Sequence, residues 1–241
     1  MRILRRRLAF LARPTPEGVV AIGGTPEPRT LLSAYSRGIF PWPHEGYPLL
    51  WFSPDPRYVI VPGEAHISRS LRKTMRQGVF EVTADRAFRQ VIRRCAEKER
   101  PGQDGTWIDD EMMDGYVALH GQGFAHSIEA WRDGRLAGGL YGLSLGRVFF
   151  GESMFADVTD ASKVCLATLI AHLQRWDFAL LDCQSHTEHL ETFGAVPWPR
   201  RLFLAELEKA LQAPTRAGAW SLEMTTAEAA ATLAPPAGPP R

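Results

Sequence analysis

Residues Gly138–Phe155 read GGLYGLSLGRVFFGESMF, and residues Phe178–Gln184 read FALLDCQ. Leu145-Gly146 between two apolar runs predicts a hairpin, with strands over Leu136–Ser144 and Arg147–Phe155. Beyond it, Thr159 or Asp160 caps a helix whose Cys165, Leu166, Leu169, Ile170 and Leu173 share one face. Phe178–Asp182 then reads as a buried strand. Three polar groups break this apolar sequence: Glu152 at the end of one strand, and Asp182 and Gln184 at the end of another.

Outward from this centre the pattern stays regular. Upstream come helices over Ser68–Gln77 and Asp85–Glu97, with a strand over Val79–Thr83 between them. Asp109 caps a helix running to His120, and Asp133-Gly134 turns a strand near Ala125–Trp131 into the central hairpin. Downstream, a helix near Thr187–Phe193 and a strand near Arg201–Leu204 are expected. The first 62 residues form a separate small module rich in Pro, Gly and aromatics, with a strand at Val19–Ile22, a helix capped by Thr30 that stops at Gly38, and a strand at Tyr58–Val61. The expected organisation is therefore an N-terminal domain over 1–62, a catalytic domain over 63–212 and an Ala/Pro-rich, loosely ordered tail over 213–241, in which Trp220–Met224 packs locally. The fold class is α+β: a mixed sheet with flanking helices in an order that resembles the acetyltransferase (GNAT-like) layout, preceded by a small α+β module.

With 241 residues the chain has ample core for stability without staples, and no apolar run approaches the ~20 residues of a membrane span. The basic opening MRILRRRLAFLARP is too short and broken in its apolar part for a secretory signal, so a cytoplasmic location without membrane association is expected. Three widely spaced cysteines imply no disulfide framework. A net charge of +1 weighs against a nucleic-acid partner, but the distribution points the other way. Met1–Arg13 holds five arginines and no acid, and His66–Arg100 holds ten Lys/Arg against four Asp/Glu. Arg69, Arg72, Lys73 and Arg76 follow helical spacing on one face; Arg86, Arg89 and Arg93 form a second stripe. Such stripes are solvated helix faces or a phosphate-binding surface.

Among aromatic neighbours, Glu152 needs a partner, because burying an unpaired charge costs several kcal/mol or more. That partner is an arginine such as Arg147, or the cationic group of a substrate. Asp182 and Gln184, two apart on a strand, project from one face at its carboxyl end, where α/β sheets often bind ligands; capping the following helix is the plain alternative for Asp182. Cys183, His186 and His189 lack a fourth ligand of matching spacing, so no metal site is expected. Trp42 reads as core. Trp51, Phe52 and Trp107 fall in loops, where stacking on an unpaired base, worth ~1–3 kcal/mol, competes with a packing role. A pyrophosphate-binding loop for acetyl-CoA is missing: Arg135–Leu140 comes nearest, but precedes a strand rather than a helix.

The strings LLSAYSRGIFPW, SPDPR, TWI, AHSIEAW, GGLYG, FFGESMF, ASK, LLDCQ and HLETFGAVPWPR, in order from about Leu31 to Phe203, resemble the leucyl/phenylalanyl-tRNA–protein transferases. This resemblance implies an enzyme that moves Leu, Phe or, less readily, Met from aminoacyl-tRNA to proteins bearing N-terminal Arg or Lys, creating a degradation signal. It implies Asp182 and Gln184 as the catalytic pair, Glu152 facing the acceptor, and Trp51 and Trp107 stacking the terminal adenosine. Leu140, Phe149, Met154, Leu166 and Leu181 then form the aminoacyl pocket, and the basic helices hold the tRNA backbone. Where the family often has a second tryptophan, this chain has Phe52. Aminolysis of an aminoacyl ester is downhill, so no cofactor is called for; positioning supplies the catalysis.

Overall fold

The computed structural model describes residues 8–44, 46–98 and 108–233. Along these the chain forms β1 (Ala9–Phe10), β2 (Val19–Ile22), α1 (Pro28–Tyr35), β3 (Phe40–Trp42), β4 (Leu50–Phe52), β5 (Arg57–Ile60), α2 (Arg69–Arg76), β6 (Glu81–Ala84), α3 (Phe88–Glu97) and α4 (Asp110–Gly121). It continues through β7 (Ala125–Arg132), β8 (Arg135–Leu145), β9 (Val148–Ala156), α5 (Ala161–Arg175), β10 (Leu180–Gln184), α6 (Glu188–Glu191), β11 (Val196–Trp198), α7 (Arg200–Ala210) and α8 (Thr226–Thr232).

The central hairpin becomes β8 and β9 of a seven-stranded sheet ordered β11-β5-β10-β9-β8-β7-β6. Among the described residues β9 and β10 are the parallel neighbours, joined by the crossover helix α5; the other pairs are antiparallel. Two apolar layers sandwich the sheet. On one face α1, α3, α4 and α7 contribute Leu31, Val91, Tyr116 and Phe203; on the other α2, α5 and α8 contribute Met75, Cys165 and Ala229. The glycines of GGLYG follow from close approach. A Cβ on Gly138 would lie 2.6 Å from the Ala161 methyl of α5, and one on Gly142 would lie 2.1 Å from the Phe150 carbonyl oxygen. Gly142 also follows the register shift between Tyr141 and Gly142, a bulge beside Glu152 on the facing strand.

The mixed sheet with flanking helices is the architecture expected; several elements differ. Arg201–Leu204 lies inside α7, not in a strand, and Phe203, Leu207 and Ala210 bury one face at helical spacing. The short apolar run is ambiguous by itself; the period only emerges over its continuation. α1 starts at Pro28 and encloses Thr30, since proline suits a first helical turn. α3 starts at Phe88, leaving Asp85 in a left-handed turn (φ 57°) where its Oδ1 accepts from the Ser127 N–H at 2.9 Å. β5, expected within the N-terminal module, pairs with β10 and β11 in the large sheet, whereas β1-β2-β4-β3 form the small sheet.

The largest correction concerns the C-terminal segment, which is ordered through Leu233. Thr225 and Glu228 form a capping box for α8, and α8 packs on α2 and α5. Arg72 of α2 donates Nη1 to Ala230 O and Nη2 to Leu233 O, binding the carboxyl end of α8. Trp220 stacks on His126 (centroids 3.9 Å apart) and its backbone N–H donates to Asp85 Oδ2 at 2.7 Å. Buried His172 accepts at Nε2 from the N–H groups of Glu223 (2.9 Å) and Met224 (3.1 Å), which requires the neutral ring; burial lowers its pKa accordingly.

Candidate active site

Parallel pairing of β9 with β10 stops at Phe150–Asp182. β9 continues to Ala156 beside β8, while β10 turns away at Gln184, whose φ is 65°. The two strands therefore splay, and a cavity of about 470 Å³ opens between them. Leu140, Phe149, Met154, Leu166 and Leu181 line its apolar part; Glu152, Asp182 and Gln184 line it as well. The structure thus gathers into one cavity all eight residues that the sequence singles out as catalytic, acceptor-binding or aminoacyl-binding.

Glu152 is half-buried and enclosed by donors. The Tyr35 hydroxyl and Gln184 Nε2 donate to its Oε1 at 2.6 and 2.7 Å, and the Tyr116 hydroxyl lies 2.8 Å from Oε2. The two tyrosine oxygens are themselves 2.6 Å apart. Burial pushes the Glu152 pKa up to about 8, against the pull of the tyrosine hydrogen bonds and with a further push from Asp182. Arg147, the alternative partner, pairs with Asp177 at 2.6 Å instead.

Asp182 holds a different position from the one expected. Its carboxylate takes both Arg57 Nε (2.7 Å) and Nη2 (2.6 Å), and both side chains are 0% exposed. Arg57 Nη1 also donates to Gly38 O (3.2 Å), and the guanidinium lies over the Phe40 and Phe203 rings. Asp182 Oδ1 in addition accepts from the Gln184 backbone N–H at 2.9 Å. That bond holds Gln184 in a left-handed conformation that a non-glycine residue adopts only under constraint. The charge of Asp182 is matched by Arg57 and its Oδ1 holds the Gln184 backbone, so it exposes no free negative charge. Arg57, Tyr35 and Tyr116 were not assigned to the site from sequence.

The tryptophans exchange places. Trp51 is 1% exposed, with its indole N–H donating to Gly23 O at 2.7 Å, so no open ring face remains for a base. Trp42, read as core, is half-buried and lines the cavity beside Phe40 and Pro41. Trp107 lies outside the described residues.

The basic helices also divide. α2 and α3 lie on opposite faces of the large sheet. Arg69, Lys73, Arg76, Arg89 and Arg93 are exposed, whereas Arg72 is engaged by α8. Arg86 precedes α3 and pairs with Glu81 at 3.0 Å. Residues 1–7, with four of the five arginines of the basic arm, lie outside the described residues. Among the described residues no cluster of three or more His, Cys, Asp or Glu is placed to hold a metal, and no helix is long and apolar enough to cross a membrane.

Family models and sequence relatives agree on one group. A family model described as leucyl/phenylalanyl-tRNA protein transferase matches residues 59–208, and a second, for the N-terminal domain of that transferase, matches residues 24–55. A leucyl/phenylalanyl-tRNA–protein transferase of Myxococcus xanthus (strain DK1622) is 58% identical over 213 residues, covering 86% of this chain and 91% of that protein. One from Anaeromyxobacter sp. (strain Fw109-5) is 58% identical over 208 residues, covering 86% and 88%. Among solved structures, a GCN5-related N-acetyltransferase-like protein from Streptococcus suis matches 80% of this chain and 65% of that one, at 12% identity and a TM-score of 0.31.

Proposed function

Because the chain belongs to the leucyl/phenylalanyl-tRNA–protein transferase family, we propose that it moves Leu or Phe, and less readily Met, from aminoacyl-tRNA to the N-terminal Arg or Lys of acceptor proteins in the cytoplasm, marking them for proteolysis. The observation that carries this reading is the single cavity in which five apolar side chains meet Glu152 and Gln184. The apolar part suits an aminoacyl side chain that is not branched at Cβ, and the acidic end suits a cation. An apolar cavity distinguishes one methylene by only ~1–3 kcal/mol, so a graded preference among Leu, Phe and Met follows.

In the reaction, the acceptor amine attacks the ester carbonyl carbon, the bond to the ribose oxygen breaks, and the amine proton passes to that oxygen, with a neighbouring ribose hydroxyl as relay. An N-terminal amine has a pKa of ~7.7–8.0, so a useful fraction is already neutral and no strong base is required. Gln184 gives its Nε2 to Glu152, leaving Oε1 as the acceptor that orients the attacking amine. Arg57 and Asp182 hold the Gln184 backbone; Glu152 receives the cationic side chain. Trp42 and Trp107 are the tryptophans we assign to the terminal adenosine.

Incubation with radiolabelled leucyl-tRNA and paired peptides beginning with Arg or Ala tests the reading. Transfer to the Arg peptide alone is expected; tight tRNA binding without transfer to either would make the protein an RNA binder.

For the tRNA body, Arg69, Lys73 and Arg76 of α2 and Arg89 and Arg93 of α3 are the proposed phosphate contacts. Charge reversal at Arg76 or Arg93 is expected to raise the KM for tRNA, leave kcat unchanged, and reduce the slope of log affinity against log salt by about one. A lowered kcat at constant KM would remove that residue from the binding surface. Single reversals also report the two helices separately, which matters because they lie on opposite faces of the sheet.

A further inference from the structure

The oxygens around Glu152 form a closed ring. Oε2 lies 2.8 Å from the Tyr116 hydroxyl, which lies 2.6 Å from the Tyr35 hydroxyl, which lies 2.6 Å from Oε1. Three contacts of hydrogen-bond length need three hydrogens between them. The two phenols supply two, and their pKa values are raised well above the ordinary tyrosine value by burial and by Glu152, so neither gives up its hydrogen near neutrality. If both phenols donated to an ionised carboxylate, their own oxygens would meet at 2.6 Å with no hydrogen between them. The third hydrogen therefore belongs to Glu152: the acid donates to Tyr116, Tyr116 to Tyr35, and Tyr35 back to Oε1.

We propose that burial within the closed ring of Tyr35 and Tyr116 keeps Glu152 a neutral acid before the acceptor docks, and that docking of the acceptor's cationic N-terminal residue opens the ring and releases the carboxyl proton to solvent. The balance is simple: one O–H bond of Glu152 breaks, its proton leaves, and an ion pair with the acceptor replaces it. This inference rests on the acceptor role given to Glu152 above. The surrounding groups are consistent with it. Tyr35 comes from α1, Tyr116 from α4 and Tyr141, close to both, from β8; Gln184 and Asp182 come from β10. Among the described residues, Arg57 of β5 is bound to Asp182, and His186, which also lines the cavity, is paired with Glu191. Ring closure also gives α1, in the N-terminal module, a direct part in acceptor selection. An uncharged N-terminal residue would have to break the ring with no ion pair to replace it.

Calorimetry of an Arg-peptide binding to the tRNA-free protein, in buffers of different ionisation heat, counts the protons released. The peptide amine contributes equally to wild type and Glu152→Gln, so their difference reports Glu152. That difference should be about 0.9 proton at pH 7, as a single group titrating at about 8 requires, and near zero at pH 9.5. Infrared spectra should show a carboxylic-acid carbonyl band that Glu152→Gln lacks and that the peptide removes. A zero difference at pH 7 overturns the proposal while leaving the acceptor role intact. Failure of the peptide to bind overturns both.

Discussion

Replacing Arg57 by Met should lower the stability of the protein by about 3–5 kcal/mol, because it strands a buried carboxylate without its counter-charge. Asp182 is 0% exposed, and Arg57 is its partner at both oxygens. The pair joins β5 to β10 within the sheet. Denaturant titration measures the loss as a lower midpoint, with a change below about 1 kcal/mol sinking the assignment. The double variant Arg57→Met/Asp182→Leu isolates the charge. It should recover most of the loss, since apolar replacements of buried ion pairs are often neutral. A deficit of about 1–3 kcal/mol should remain, because the Gln184 N–H loses its acceptor. Neither variant should transfer at a normal rate: the double variant removes the acceptor of the Gln184 N–H, and the single variant frees the carboxylate that provides it.

Trp220→Ala should cost about 3–5 kcal/mol, the usual range for emptying a buried tryptophan site. The ring is 4% exposed, stacked on His126, in contact with Trp176 and Phe178, and 5.7 Å from Phe149. Phe149 also lines the cavity, so the variant should lose discrimination between Leu and Phe as well as stability; paired transfer rates from the two charged tRNAs measure this. Wild-type stability carries the same signature in its pH dependence. The pKa of His172 is lowered in the fold by burial, so its contribution is complete above the unfolded value of about 6.5 and is lost as pH falls through the lower folded value. Protonation there removes the acceptor for Glu223 and Met224. Trp220 fluorescence should therefore change under mild acid before the far-ultraviolet signal of the sheet.

The centre of the fold was legible because its signals are local. Hairpin glycines, strand periodicity and one amphipathic helix lie within about fifty residues, and Glu152, Asp182 and Gln184 stand out against apolar neighbours. What escaped depends on distance or on sheet face. Arg57 sits in a proline-rich run that reads as loop, and its partner is 125 residues away. Tyr35 and Tyr116 carry the pattern of apolar helix faces, and nothing in that period shows that their hydroxyls meet. Trp42 and Trp51 occupy neighbouring strands β3 and β4, where the exposed ring depends on which strand face meets the core. The tail was misread for a related reason. Its alanines are weakly apolar, but Ala229 and Ala230 are buried because their small size lets α8 approach the large helices.

Tyr35, Arg57, Tyr116, Glu152 and Gln184 come from five separate segments of the chain: α1, β5, α4, β9 and β10. Each is held by at least one of the others or by Asp182. Proteins lose structure piecemeal under stress, segment by segment. Here, fraying of any one of these segments dismantles the hydrogen-bonded constellation as a whole. A partly melted copy is thus silenced rather than made indiscriminate.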